Sequence, residues 1–248
     1  MEIEFFILLG VFISSLVSGI IGMAGGIILM ALYASLLPLE IAMVLHGLTQ
    51  LFSNGFRSYL HRKYILWHIL PKYFLGGLLI TLIMGLISFS PNKKVVFILL
   101  GLFPFTIFLK SIARQLDITK KMRPVFAGGI VTLSQLVAGA SGSVLDIFFI
   151  NSPLKKYEVM GTKAITQTFG HCFKIVFYFS IIQKNNFSFG ISPYTVFAIV
   201  PIVFLGTFLG KLVLRNFSEN YFRRLSRIIV LGMGVLLIAK GVYAYSTT

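Results

Sequence analysis

Two segments of this chain, 117 residues apart, carry the same polar pattern inside stretches that are otherwise apolar. Residues 46–60 read HGLTQLFSNGFRSYL and residues 163–177 read KAITQTFGHCFKIVF, so Thr49, Gln50, Phe52 and Phe56 return as Thr166, Gln167, Phe169 and Phe173. Arg57 returns as Lys174. At 57% hydrophobic and 12% charged, with a mean hydropathy of +0.92, the chain has apolar runs long enough to cross a bilayer. Each half therefore places a costly polar group at the same depth, the pattern of a two-fold site inside a membrane.

Six stretches have the roughly 20 residues that a spanning helix needs: Ile41 to Leu60, Ile69 to Phe89, Val95 to Ile112, Val159 to Ile182, Tyr194 to Leu214 and Leu225 to Tyr245. Two others are interrupted by small residues. Phe5 to Leu37 contains SGIIGMAGG, and Val125 to Ile150 contains AGASG. Phe5 to Leu37 is too long for one ordinary span and too short for two, so both interrupted stretches read as broken, re-entrant elements. The duplication extends beyond the polar helices. Gly19 and Gly22 match Gly139 and Gly142 at offset 120, and PKYFLG at 71–76 matches PIVFLG at 201–206 at offset 130. The expected fold is an all-α polytopic membrane protein of two inverted repeats, each a glycine-broken re-entrant or discontinuous helix plus three transmembrane helices. Residues 1–115 form the first repeat, 116–122 a basic cytoplasmic linker and 123–248 the second repeat, all in one integrated membrane domain. The opening MEIEFF has acids where a secretory signal carries bases, and reads as the start of the first membrane element.

The net charge of +15 belongs to the loops, which argues against a nucleic-acid partner. If both glycine-broken stretches turn back, Lys93, Lys94, Lys184 and Lys240 fall on one face and the other fifteen loop Lys and Arg on the opposite face. That bias makes the basic face cytoplasmic and both termini external, in a multi-pass protein of the cell's inner membrane. If both stretches cross completely, the bias disappears.

The polar residues of the first repeated helix, His46, Thr49, Gln50, Ser53, Asn54 and Arg57, step by three or four and share one face. Lys163, Thr166, Gln167, His171 and Lys174 repeat that face. Thr, Gln and Asn alone suit interhelical hydrogen bonding, worth about 1 kcal/mol, but each of the three cations costs about 2.5–3.5 kcal/mol at mid-membrane. Only seven carboxylates exist, and Asp146 alone is placed to meet a cation within the membrane. A small anionic substrate would supply the missing charge, with the Arg57 fork suited to an oxyanion and the Thr and Gln side chains as orienting donors. The two basic side chains Arg57 and Lys174, one per repeat, are expected to face one common cavity. Half-helix N-termini at Gly22, Gly25 and Gly26, and at Gly142 and Ser143, would add amide donors. Asp146 takes the place of Gly26 at offset 120 and is the candidate for coupling to a proton or sodium.

At these residues the chain resembles the sulfite-exporter (TauE/SafE) family. The resemblance rests on SGIIGMAGG near the start, on YLHRKYILWHILP, similar to that family's Tyr-x-Arg segment with its following aromatic, and on the second glycine-rich half. It covers essentially the whole chain, although Ala31 stands where proline usually follows the family's glycine motif. The resemblance implies seven or eight helices and the movement of sulfite, organosulfonates or related small anions. The expected function is then a secondary transporter that moves such an oxyanion between two halves by alternating access, with a passive anion channel as the alternative. No GxxxxGK[ST], HExxH or GxSxG occurs, so neither ATP drive by this chain nor an enzyme is supported. The four histidines are too scattered for a metal site, Cys172 is the only cysteine, and no cofactor is expected. The lipid bilayer is a partner throughout, and a homodimer stays open.

Overall fold

The computed structural model describes residues 2–21, 24–87, 89, 92–108, 116–149, 152–186, 188–214 and 219–246, and among them finds helices and no strand. The first half consists of α1 (Glu2–Ile21), α2 (Ala24–Leu36), α3 (Leu39–Leu60), α4 (Leu70–Leu86) and α5 (Lys93–Leu102). The second half consists of α6 (Arg123–Ala138), α7 (Gly142–Phe149), α8 (Lys156–Lys184), α9 (Pro193–Leu214) and α10 (Glu219–Ser246). Local chemistry sets several of these ends. Asn92 caps α5 by accepting the Lys94 amide at 2.8 Å, and Pro124 sits in the first turn of α6 where its missing N–H costs nothing. Gly139 ends α6 in the left-handed region at φ 82°, where a residue with a Cβ would be strained. The expected span Val95 to Ile112 differs from the structure. It begins as α5 and tightens into a 3₁₀ segment over Phe103–Phe108, because Pro104 offers no N–H and clashes with the preceding turn; its last residues lie outside the described set.

Both glycine-broken stretches are interrupted, as read from the sequence. Gly25 packs on Ser14 and Ser18 while Gly10 packs on Leu32, so α2 runs back along α1 as an antiparallel hairpin. In the second half the Ile118 amide donates to the Phe148 carbonyl at 3.0 Å, which returns the end of α7 to the segment that leads into α6.

The four largest interfaces are α1 with α9, α3 with α8, α4 with α6 and α5 with α10. Their contacts fix the directions. Glu4 accepts the Ser192 amide and Gly19 meets Thr207 and Gly210, so α1 and α9 are parallel. Lys72 donates to the Lys121 carbonyl and Gly77 lies against Thr132, so α4 and α6 are parallel too. Gly47 meets Ile175 while Gly161 meets His61, which makes α3 and α8 antiparallel; Gly101 against Gly234 and Gly241 against Ile98 do the same for α5 and α10. Exchanging α1–α5 for α6–α10 maps the α1–α9 pairing onto α4–α6 and returns α3–α8 and α5–α10 each to itself.

Glycines allow these approaches. A Cβ on Gly19 would stand 2.7 Å from the Thr207 carbonyl oxygen, and one on Gly206 2.9 Å from that of Phe12. Gly76 faces the Val125 carbonyl in the same way. Gly76 and Gly206 are the ends of the repeated PKYFLG and PIVFLG, so the repeat conserves a packing contact as well as a word.

The outside of the bundle is apolar, with Tyr194 86% and Leu86 85% exposed, and that surface suits lipid. Among the described residues α1, α4 with its preceding turn, and α9 are long and apolar enough to cross a membrane. The α3 and α8 helices fall outside that group because of their polar faces, which turn inward: His46, Thr49, Gln50, Ser53 and Asn54 of α3 and Thr162, Thr166, His171 and Lys174 of α8 are all buried. Gly76→Val and Gly206→Val should each destabilise the bundle by about 1–3 kcal/mol, because backbone is what the new side chain meets. Gly55→Ala, with nothing within 4 Å of its Cβ position, should show no loss in the same detergent thermal melts.

Candidate functional site

The antiparallel α3–α8 pair brings the two repeated polar faces together, and its register puts them at two levels. At one level His46 lies beside Lys174. The Lys174 ammonium is wholly buried, 2.6 Å from His46 Nδ1 and 2.8 Å from the Gly139 carbonyl oxygen at the break after α6. The other His46 nitrogen, Nε2, is 2.9 Å from the Gly26 carbonyl oxygen. A carbonyl only accepts, so Nε2 carries the proton and Nδ1 accepts from Lys174. The His171 ring stands 5.6 Å from that of His46 at 61°, and the Gln135 amide nitrogen is 3.2 Å from its Nε2. Gln50 lies against Gly26, whose Cβ position is 3.7 Å from the Gln50 amide.

At the second level Lys163 pairs with Asp146 of α7, their side chains 18% and 21% exposed. Arg57 is in coulombic range of Lys163 and of His171. Its guanidinium donates to Asn54 Oδ1 at 2.7 Å, and the Asn54 amide donates to Gln50 Oε1 at 3.4 Å, a polar ladder along α3 toward the first level. Just beyond α3, burial, followed by the charges of Lys211 and Arg57, holds the His61 imidazole below its ordinary pKa, which puts Arg57 near the end where α9 finishes.

Arg57 and Lys174, which the sequence reading expects to face one cavity, bond different groups, Arg57 to Asn54 and Lys174 to His46 and Gly139. Eleven residues of α3 separate Arg57 from His46, the partner of Lys174, or about 16 Å of helix. Equivalent positions on antiparallel helices meet only near the centre of the pair, and these lie to either side of it. Thr49 and Thr166 are not free donors either. Thr49 Oγ1 bonds to the Leu45 carbonyl and to Tyr33, and Thr166 Oγ1 to the Thr162 and Lys163 carbonyls, so both hydroxyls are spent inside the protein. Gln167 is half-buried on α8. Gly25 serves the α1–α2 packing, and Gly22 lies outside the described residues. Gly142 and Ser143 do open α7, and the buried hydroxyls of Ser141 and Ser143 make no hydrogen bond among the described residues. Gln135 was not singled out from the sequence; a lone glutamine one turn before a glycine break in an apolar run was its only signal.

A buried ammonium with an imidazole and a carbonyl for partners, and no carboxylate in ion-pair range among the described residues, is a centre that lacks one negative charge. A family profile described as Sulfite exporter TauE/SafE matches residues 6–237 of the 248. The chain belongs to the sulfite exporter TauE/SafE family. No curated protein and no solved structure gives a match. Membership makes the protein a membrane transporter of sulfite or related anions, and the family is one of transporters, not of enzymes. In this TauE/SafE chain among the described residues no group of three His, Cys, Asp or Glu side chains is placed to hold a metal ion.

His46 and Lys174 should be energetically coupled. In a double-mutant cycle of His46→Leu and Lys174→Met, followed by thermal or denaturant unfolding in detergent, the coupling is expected at about 1.5–3 kcal/mol, the worth of a hydrogen bond to a charged group. Additive losses would mean that the pair does not act as a unit.

Proposed function

We propose that this protein is a secondary transporter in which two inverted repeats carry a small oxyanion, sulfite or an organosulfonate, across the cell's inner membrane by alternating access. The observation that carries this reading is Lys174. Its ammonium is removed from water with two of its three protons held by neutral acceptors. Desolvating a cation costs several kcal/mol unless a counter-charge returns it, and a bound oxyanion at the third donor does so. The break between α6 and α7 supports the same position, because the α7 amide end and the unpartnered Ser141 and Ser143 hydroxyls are two to four residues from the carbonyl that Lys174 touches. Gln135, Gln50 and His171 give further donors around it.

The directions of the helices support the inverted arrangement. Helices that the repeat makes equivalent, α3 with α8 and α5 with α10, run opposite to one another, as an axis in the membrane plane requires. Basic Lys72 and Lys121 meet at one end, while Lys93 and Lys240 reach the Leu37 carbonyl and Ser35 at the other. That separation agrees with a cytoplasmic basic face and external termini. A carrier suits the centre better than a channel, since His46, His171 and Lys174 are 1%, 3% and 0% exposed. A sealed centre must open to one side at a time. The coupling ion is a proton or sodium.

In proteoliposomes, sulfite uptake by the wild-type chain should exceed equilibration when a proton or sodium gradient is imposed, whereas a channel only equilibrates. Lys174→Gln should lower sulfite flux at least tenfold, about 1.4 kcal/mol or more, with insertion and monodispersity unchanged. Flux at the wild-type rate in that variant would remove Lys174 from the site.

A further inference from the structure

The two levels of the α3–α8 pair are versions of one design. At offset 117 His46 becomes Lys163 and Arg57 becomes Lys174, and at offset 120 Gly26 becomes Asp146. The contacts follow the same exchange. His46 reaches the Gly26 backbone on α2, and Lys163 reaches the Asp146 carboxylate on α7. Where the first level has a carbonyl and, among the described residues, no carboxylate, the second has a carboxylate that supplies a negative charge.

We infer that Lys163, with Arg57 beside it, is a second anion-binding centre, and that Asp146 is a tethered carboxylate occupying it in place of the transported oxyanion. This inference rests on the anion-transport reading above. The Arg57 charge acts on Lys163 as well, so two basic side chains, one from each repeat, serve this level. The pair is also the more accessible of the two levels, at 18% and 21% exposure against a sealed His46 and Lys174. An oxyanion arriving from the end of α3 that carries His61 meets this level first. It exchanges with Asp146 on Lys163, and the Arg57–Asn54–Gln50 ladder leads from there to His46 and Lys174. Asp146 then acts as a gate that closes behind the substrate by returning to Lys163. A tethered carboxylate has an effective concentration in the millimolar range or above, so it holds the centre against dilute anions and gives way to abundant ones.

Equilibrium binding of radiolabelled sulfite to the detergent-purified full chain, kept free of oxygen, tests this. The wild-type chain is expected to bind one sulfite tightly, and Asp146→Asn a second with affinity raised at least about tenfold over any second site in the wild type. Lys163→Gln placed on Asp146→Asn should remove that second sulfite, and Lys174→Gln should remove only the first. Asp146→Asn and Asp146→Ala chains that fold and bind the wild-type number with wild-type affinity overturn the inference and leave the transport reading standing. A wild-type chain that binds no sulfite while Asp146→Asn binds one keeps the tethered carboxylate and overturns the Lys174 site. If neither variant is monodisperse, the unmutated chain decides, since Asp117 and Asp146 are its only aspartates. With aspartate-selective carbon-13 labelling, sulfite at rising concentration should shift one aspartate carboxylate band in infrared difference spectra; saturation with both bands unmoved overturns the inference.

Discussion

The contact on which the interior depends is the one between Lys174 and the broken end of α6. A helix that stops inside a membrane leaves carbonyls with no partner, and a lysine in the same place leaves an ammonium with none. Each problem answers the other. The Lys174 ammonium bonds the Gly139 carbonyl, at the negative end of the α6 dipole, and Gly139 can end the helix there because it alone accepts the left-handed backbone. His46 completes the arrangement from α3 and is itself oriented by the Gly26 carbonyl on α2. Four helices are thereby tied to one charge, and among the described residues no carboxylate is in ion-pair range of it.

Close backbone approach is the second requirement. Lipid gives no hydrophobic drive for helices to associate, so contact area must come from packing, and glycine shortens the distance. The α1–α9 and α4–α6 interfaces both use it, through Gly19, Gly206 and Gly210 on one side and Gly76, Gly77 and Gly128 on the other. The polar α3–α8 pair is enclosed between these two glycine-packed pairs, since α4 also touches α8 and α9 also touches α3. This enclosure is what lets two helices with histidine, lysine and arginine exist in a chain of such high hydropathy.

Much of this was legible in the sequence. The repeated words located α3 and α8, the small-residue breaks located the two interruptions, and the loop charges sorted the ends in the same way as the contacts of Lys72, Lys93, Lys121 and Lys240. The depth of the cations was not legible. An offset of 117 says that Arg57 and Lys174 are equivalent, and equivalence invites the idea that they meet, but in an antiparallel pair equivalent residues diverge with distance from the axis. Only the register, set by Gly47 on Ile175 and Gly161 on His61, shows that Lys174 faces His46. The fate of Thr49 and Thr166 was hidden for a different reason, because a hydroxyl on a helix can turn to its own preceding carbonyl as readily as to a ligand. Pro104, by contrast, was visible in the sequence, and gives the physical reason for the end of α5.

Strict symmetry would make the two levels equally suited to an anion, and the chain departs from symmetry at the residues that matter. Replacing the histidine of one repeat by Lys163 of the other adds a charge, and replacing Gly26 by Asp146 adds the opposite one, so the two changes compensate each other locally. A Lys163–Asp146 ion pair at one level, and at the other a Lys174 with no carboxylate in ion-pair range among the described residues, differ in how strongly they hold an incoming anion. Such a difference is what a carrier needs, because a solute bound equally well at every level along its path has no reason to favour one orientation of the protein. In the alternating-access carrier proposed above, an anion shifts the preference between two orientations only by the difference in its affinity for them, and the departure from symmetry at Asp146 is where the two halves differ in charge.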